Sequence, residues 1–157
     1  MRTLVAAVVV VEILAGCAGR TAGRGPAPSS GSYATAPRPA GTGVSFDDEN
    51  PTLERAIQGG RAARKPVVLY FLASWCGYCS KLQAGTLSKP EVGSEMSRFW
   101  NVRCDPDDPA GRTLALKYGV NGFPTLVFVD AAGNKKKELA GCAAPADFIS
   151  RVRAASP

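Results

Sequence analysis

The sequence contains no histidine among its 157 residues. This absence excludes the Ser-His-Asp and Cys-His catalytic arrangements, the histidine-based zinc-protease motifs and the ligation of haem by imidazole. Aromatic residues are also few, at 8%, whereas apolar residues make up 45% of the chain and charged residues 20%. That balance is typical of a globular chain with room for one domain of ordinary size. Any chemistry must therefore depend on the five cysteines, the carboxylates or the backbone.

The net charge of +6 is not concentrated in one part of the chain. The one basic run, Lys135–Lys137, falls where a hairpin is predicted, and a solvated strand edge accounts for it. The other basic residues are scattered, and no basic stripe alternates with aromatic residues as it does in nucleic-acid-binding proteins. The sequence therefore predicts no nucleic-acid partner.

Residues 1–16 have the pattern of an export signal. Arg2 gives a minimal positive end, Leu4–Val11 is an apolar run, and small residues follow it. The run is shorter than the about 20 residues that a membrane-spanning helix needs. Leu14–Cys17 resembles the lipobox of bacterial lipoproteins, in which the cysteine is acylated and becomes the first residue of the mature chain. We therefore expect a lipoprotein signal peptide and lipid on Cys17; the alternative is an ordinary cleaved signal.

Residues 17–43 contain almost nothing but Gly, Ala, Pro, Ser, Thr and Arg. A segment of this composition buries too little apolar surface to offset the entropy of ordering it. We expect it to be a flexible tether between the lipid anchor and a folded domain that spans residues 44–157. The anchor would hold that domain on a lipid bilayer outside the cytoplasm, in the periplasm or cell envelope.

From residue 44 onward, hydrophobic periodicity predicts alternating helices and strands. Helices are expected at 51–64, about 76–87, 91–99, 109–118 and 145–154, and strands at 67–73, 100–104, 125–129 and 135–140. Asn50 is the predicted cap of the first helix, with Pro51 at its first position. The composition of 130–134 indicates a hairpin turn. This order predicts an α/β fold with a mixed central sheet flanked by helices.

Cys76 and Cys79 are three residues apart at the predicted start of a helix. Such positions share one helical face at about 5–6 Å, a separation that a disulfide bridges. The unpaired N–H groups and the positive dipole end at a helix start favour thiolate over thiol, so Cys76 is the predicted nucleophile. Cys79, one turn further along the helix, can then resolve a mixed disulfide.

Other uses of a Cys-x-x-Cys pair stay open. The pair could supply half of a zinc site completed by Cys104 and Cys142, although those two do not form a second Cys-x-x-Cys. It could be a purely structural disulfide, although a bridge within one helical turn closes too small a loop to stabilise much. A copper-delivery protein is a further option, although such proteins normally add a histidine ligand.

Two longer motifs resemble the thioredoxin-like family. Phe71–Cys79 is similar to the active-site strand and loop of that family, and Lys117–Thr125 is similar to the segment that carries its cis-proline. The two motifs occur in the family's order, about 45 residues apart. Lys65–Val68 and Ser88–Val92 further resemble the periplasmic thioredoxin-like domain of the transmembrane thiol–disulfide interchange proteins. The resemblance covers residues 44–157 and implies a thioredoxin-like fold.

The resemblance also implies an activity: thiol–disulfide exchange on protein disulfides, without a cofactor or metal and with a membrane redox partner. Cys76 and Cys79 would be the catalytic pair. The residues expected to contact the substrate flank the pair or belong to the cis-proline segment, namely Trp75, Gly77, Tyr78, Phe123 and Pro124, with Pro124 cis. A disulfide isomerase and a partner-binding module without turnover are the alternatives.

Two positions depart from the family's pattern. Most thioredoxins carry a buried Asp six residues before the first cysteine and a Lys on the next strand, where this chain has Tyr70 and Asn101. A tyrosine ionises near pH ~10 and is no base at neutral pH, which argues against fast general disulfide reduction.

Cys104 ends one predicted strand and Cys142 follows another, and both lie at the active-site end of the implied sheet. Three strand spacings, roughly 14 Å, separate those strands. A disulfide needs Cα atoms within about 7 Å, so we expect no bond between the two cysteines. We expect both to be largely buried apolar thiols; the alternative is that one of them lines the substrate surface and exchanges with Cys76.

Overall fold

The computed structural model describes residues 43–155. The predicted signal peptide, Cys17 and nearly all of the predicted linker lie outside this range. The strands are Asp48–Glu49 (β1), Val67–Phe71 (β2), Trp100–Cys104 (β3), Thr125–Val129 (β4) and Lys135–Ala140 (β5). The helices are Leu53–Ala63 (α1), Gly77–Leu82 (α2), Pro90–Met96 (α3), Pro109–Tyr118 (α4) and Pro145–Arg153 (α5), and a π-helical turn, Gln83–Leu87, follows α2 directly. Among these helices, none has the length and apolar character to cross a bilayer.

The five strands form one mixed sheet in the order β1-β3-β2-β4-β5. β2 lies at the centre because all five of its residues are apolar or aromatic and buried. β3 runs parallel to β2 on one side, and β4 runs antiparallel to it on the other. A turn in which Asp130 accepts the N–H groups of Ala132 and Asn134 connects β4 to β5. The predicted α/β fold with a mixed central sheet is confirmed.

Alternate residues of the central strand pack on two opposite faces of the sheet. Val67, Leu69 and Phe71 belong to a buried cluster with side chains of α1 and α4, which we call the α1/α4 face. Val68 and Tyr70 belong to a second cluster, with side chains of α2, the π-helical turn, α3 and α5, which we call the α2/α5 face. Each fully buried aliphatic side chain stabilises the fold by roughly 1.5–3 kcal/mol.

The predicted cap of the first helix is wrong. α1 begins at Leu53, and the hydroxyl of Thr52 caps it by accepting the N–H of Arg55 at 3.3 Å. Asn50 instead adopts a left-handed backbone with φ 46° and accepts the N–H of Asp105 at 2.6 Å. Because this side chain ties the start of the domain to the end of β3, it is not available to the helix.

Three predicted segments end earlier than expected or change type. β2 stops at Phe71 instead of residue 73, because the N–H of Cys76 donates to Ala73 O at 3.1 Å and turns the chain into a loop. The helix predicted over about 76–87 is α2 followed by the π-helical turn. The helix predicted to reach residue 99 ends at Met96, where Phe99 N–H closes a turn onto Met96 O at 3.0 Å. The loop after β2 carries the site described below.

Candidate active site

Cys76 and Cys79 lie at the start of α2, just past the carboxyl end of the central strand. They form a disulfide with Cα atoms 5.2 Å apart, which confirms the separation predicted from their spacing. Cys76 is the N-cap of α2, and its Sγ accepts the N–H of Cys79 at 3.1 Å. An N–H aimed at a sulfur stabilises negative charge there. Cys76 is 7% exposed and Cys79 is 1% exposed, so Cys76 is the more accessible sulfur.

Three aromatic side chains close to the redox pair, Trp75, Tyr78 and Phe123, form what we call the aromatic rim. Trp75 is 66% exposed and Tyr78 is 65% exposed, the largest values among the aromatic residues described. The indole N–H of Trp75 donates to Asp107 Oδ2 at 2.9 Å, and its ring meets the Phe123 ring edge-on at 5.9 Å. The Nζ atom of Lys81 lies 5.3 Å from the centre of the Tyr78 ring. Exposed apolar rings held in place around a reactive group are typical of a binding surface.

The two remaining predicted contact residues, Pro124 and Gly77, differ in burial and in their contacts. The Phe123–Pro124 peptide bond is cis, as the resemblance implied. Pro124 is buried, and its carbonyl accepts the N–H of Gly141 at 2.8 Å. Gly77 is exposed, and a Cβ added there would meet nothing within 4 Å. The position of Gly77 between the cysteines therefore has no steric requirement for glycine within the described fold.

Sequence analysis missed two neighbours of the site, Asp107 and Thr86, and named a third, Cys142, only as an alternative. Asp107 follows β3, whose carboxyl end lies beside that of the parallel strand β2, and this parallel pairing is the signal that indicates it. The thiol of Cys142 donates to Tyr78 O at 3.1 Å, and the hydroxyl of Thr86 donates to Ala143 O at 2.6 Å. Segment 141–144 is thus fixed against the active-site helix. Cys142 is exposed, so the expectation that it is largely buried is wrong.

Cys104 is in a different environment from Cys142. It is 0% exposed and packs on the α1/α4 face, opposite the redox pair. Burial, with a smaller contribution from Asp48, raises the pKa of its thiol to about 12. Cys104 and Cys142 are both unpaired, so the expectation that they are not bonded to each other is confirmed. The four-cysteine zinc alternative fails, because Cys104 faces away and residues 43–155 contain no group of three metal-ligating side chains.

Two neutral polar side chains occupy the positions where most thioredoxins carry charges. Tyr70 is 1% exposed and stacks on Phe46 with ring centres 5.6 Å apart. Burial raises the pKa of Tyr70 to about 12, with Arg103 lowering it and Cys142 raising it by smaller amounts. Within residues 43–155, the Tyr70 hydroxyl and Asn101 Oδ1 have no hydrogen-bond partner. Neither group accepts a proton at neutral pH.

Comparison with known proteins gives consistent matches. A family model described as a thioredoxin-like domain matches residues 53–156. The thiol:disulfide interchange protein DsbD of Neisseria meningitidis is 36% identical over 87 residues, which are 54% of this chain and 14% of DsbD. Protein disulfide-isomerase erp38 of Neurospora crassa is 31% identical over 103 residues, which are 61% of this chain and 26% of that protein. The chain thus matches only 14% and 26% of the length of these two relatives.

Solved structures agree with these matches. A structure titled DsbH oxidoreductase superposes with a TM-score of 0.63 at 26% identity, covering 80% of this chain and 94% of that one. The oxidised C-terminal domain of Neisseria meningitidis DsbD superposes with a TM-score of 0.55 at 29% identity, covering 66% of this chain and 91% of that one. With the family match over residues 53–156, these findings show that the chain belongs to the thioredoxin-like domain family.

Proposed function

We propose that this protein is a thiol–disulfide oxidoreductase that acts on protein disulfides outside the cytoplasm. The observation that carries this proposal is a disulfide-forming Cys76–Cys79 pair at the start of α2, with the exposed side chains of Trp75 and Tyr78 next to it in the chain. The names of the relatives, a thiol:disulfide interchange protein and a protein disulfide-isomerase, support the same class of reaction. The fold itself hosts several functions, so the site is the stronger argument.

The proposed cycle begins with the Cys76 thiolate. It attacks a substrate disulfide, forms a mixed disulfide with one substrate sulfur, and expels the other substrate sulfur as a thiolate. Cys79 then attacks the Cys76 sulfur, releases the reduced substrate and leaves the Cys76–Cys79 disulfide. The N–H that Cys79 donates to Cys76 Sγ supports negative charge on the sulfur that reacts first.

The aromatic rim is the proposed substrate surface. The rings of Trp75, Tyr78 and Phe123 offer apolar contact next to the redox pair, and the exposed Gly77 lets a substrate chain approach closely. We propose that the main chain around Phe123 and Pro124 pairs with an extended substrate segment, as sheet edges do with peptides. Recognition of this kind reads backbone more than side chains, which suits an enzyme with many protein substrates.

Insulin reduction tests the activity. The wild-type protein should catalyse the reduction of insulin by dithiothreitol, and Cys76→Ser should reduce the rate to that of dithiothreitol alone. Cys104→Ser is the matched control, because Cys104 lies on the opposite face and its loss should leave catalysis intact. A wild-type protein that binds insulin chains without accelerating their reduction would instead identify a binding module without turnover.

The direction of electron flow follows from the reduction potential of the Cys76–Cys79 pair. A potential near about −270 mV would make the protein an electron donor, and one near about −120 mV would make it an oxidant. An intermediate potential of about −180 mV, with recovery of scrambled ribonuclease, would favour the isomerase alternative. Equilibration of the pair with glutathione, quantified by alkylation and mass, measures this potential.

A lipid anchor on Cys17 and a membrane redox partner complete the proposal. The support is the resemblance of Leu14–Cys17 to a lipobox and the relationship to DsbD. Cell fractionation should find the wild-type protein with membranes and Cys17→Ala in the soluble fraction. Equal membrane retention of the two would remove the lipid anchor from the proposal and leave the exchange activity untouched.

A further inference from the structure

A third cysteine lies beside the redox pair, on the side open to solvent. Cys142 is exposed in the segment between β5 and α5, and three hydrogen bonds fix that segment in place. Gly141 N–H donates to Pro124 O at 2.8 Å, the Cys142 thiol donates to Tyr78 O at 3.1 Å, and Thr86 Oγ donates to the next carbonyl at 2.6 Å. Cys142 is therefore held between the cis-proline segment and the helix of the redox pair.

Two hydrogen bonds to the same peptide unit limit the distance between the sulfurs of Cys76 and Cys142. Tyr78 O accepts from Cys142 Sγ, and the N–H of the same Tyr78–Cys79 peptide unit donates to Cys76 Sγ, each at 3.1 Å. Bond lengths place the oxygen and nitrogen of one peptide unit close together, so the sulfurs of Cys76 and Cys142 are at most about 8.5 Å apart. Because the C=O and N–H of a peptide unit point in opposite directions, the exchange step requires the Cys142 thiol to leave Tyr78 O and turn toward Cys76. The 141–144 segment, which contains no helix or strand, would have to shift with it.

The buried side of the pair offers little help to Cys79. Cys79 is 1% exposed, and the residue beneath the pair that is most often a carboxylate in thioredoxins is the neutral Tyr70. The Tyr70 hydroxyl is itself buried with no hydrogen-bond partner in the described domain. A neutral phenol is not a base at neutral pH, so Tyr70 cannot take the proton from the Cys79 thiol.

We propose that Cys142 is a second resolving thiol of this active site. The inference rests on the proposed function. The Cys142 thiolate attacks the Cys76 sulfur of a Cys76–substrate disulfide; the Cys76–Cys142 bond forms, and the bond to the substrate breaks. The electron pair leaves on the substrate sulfur, which takes up the proton that Cys142 lost. Cys79 then attacks Cys76, expels Cys142 as a thiol and restores the Cys76–Cys79 disulfide, so no outside oxidant is needed.

An aromatic disulfide that releases a coloured thiolate tests this step. The full chain with Cys17→Ala and Cys79→Ser receives one equivalent of reagent at low micromolar concentration. Cys76 expels the first aromatic thiolate, and attack by Cys142 should expel the second, so two thiolates per reagent molecule are expected. Mass mapping should then find a Cys76–Cys142 linked peptide in a monomeric product. Addition of Cys142→Ser should stop the reaction at one thiolate and a stable adduct.

Two matched variants keep the result interpretable. Cys104→Ser in the same background removes the buried cysteine and should still give two thiolates and the Cys76–Cys142 peptide. Cys79→Ala replaces Cys79→Ser in a second preparation, so that a poorly folded protein does not decide the result. A single thiolate with a lasting adduct on Cys76, in both Cys79 variants, would overturn the role of Cys142. If insulin reduction by the wild-type protein succeeds in that case, the proposed function stands and only this inference fails; if Cys76 does not react at all, the proposed function fails.

Discussion

The two faces of the central sheet carry different kinds of residue although they share the same strands. On β2, Leu69 points into the α1/α4 face, where the buried cluster is formed by apolar and aromatic side chains and Cys104. Its neighbour Tyr70 points into the α2/α5 face, which also holds the redox disulfide and the buried amide of Asn101. One face therefore stabilises the fold, and the other combines that task with the chemistry.

The two free cysteines show the same division. Cys104 ends β3 on the α1/α4 face with no exposed surface, and Cys142 lies in the open, bonded to the helix of the redox pair. Cys104 is the last residue of β3 and Cys142 follows β5, and these two strands end at the same edge of the sheet. Position along the sheet therefore does not make a thiol reactive; the face of the sheet and the solvent access of the side chain do.

Truncation on the α1/α4 face should have the largest effect on stability. Leu69 is completely buried, and Leu69→Ala should lower the free energy of unfolding by about 2–5 kcal/mol because it removes buried methyl groups and leaves a cavity. Urea denaturation measures this loss. Insulin reduction per folded molecule should stay within twofold of the wild type. A large loss of activity in the folded variant would contradict the division between the faces.

Replacement of each free cysteine by serine should change the free energy of unfolding by less than Leu69→Ala does, and by different amounts at the two positions. Cys104→Ser buries a hydroxyl on an apolar face and should cost about 1–3 kcal/mol, whereas Cys142→Ser at an exposed site should stay within about 0.5 kcal/mol. In the reduced native protein, iodoacetamide should label Cys142 and spare Cys104 until the chain unfolds. Rapid labelling of native Cys104 would show that the α1/α4 face opens to solvent.

The contribution of Cys104 to the stability of the fold should fall at high pH. Because burial raises its pKa from 9.0 to about 12, the folded state keeps the neutral thiol at pH values where the unfolded chain ionises. Its contribution to stability is therefore complete below pH 9 and is lost as the pH rises toward 12. Cys104→Ala should show a smaller loss of stability than the wild type over that interval, and a steeper loss would contradict the assignment.

Local patterns predicted most of the fold and the centre of the site. The spacing of Cys76 and Cys79 predicted the distance between them, the apolar run at 67–71 predicted the central strand, and family resemblance implied the cis bond at Pro124. These features depend on residues close in sequence. The contact of Cys142 with Tyr78 joins residues 64 positions apart and depends on how the segment after β5 is seated, which no local pattern encodes.

The cap of α1 also depends on a contact between residues that are distant in sequence. Asn50 and Thr52 are both capping residues, and the local signals, the higher N-cap preference of Asn and the proline that follows it, favour Asn50. The contact that decides between them is the N–H of Asp105, 55 residues away, which binds the Asn50 side chain and leaves Thr52 to cap the helix. The pairing of the two-residue strand β1 with β3 also joins distant parts of the chain, and sequence analysis did not predict it.

Removal of the hydroxyl from each of two buried tyrosines should have the smallest effects on stability, and the two effects should differ between the faces. Tyr118, on the α1/α4 face, donates to Gly133 O at 2.8 Å, so Tyr118→Phe should cost about 0.5–1.5 kcal/mol. Tyr70, on the other face, has no partner within residues 43–155, so Tyr70→Phe should be neutral or stabilising by up to about 1 kcal/mol. Urea denaturation at pH 7 measures both differences. Burial raises both pKa values to about 12, so each phenol favours the folded state below pH 10 and loses that contribution as the pH rises toward 12. An equal cost for the two variants would mean that the Tyr70 hydroxyl has a hydrogen-bond partner, and the contrast between the two faces at these tyrosines would then be wrong.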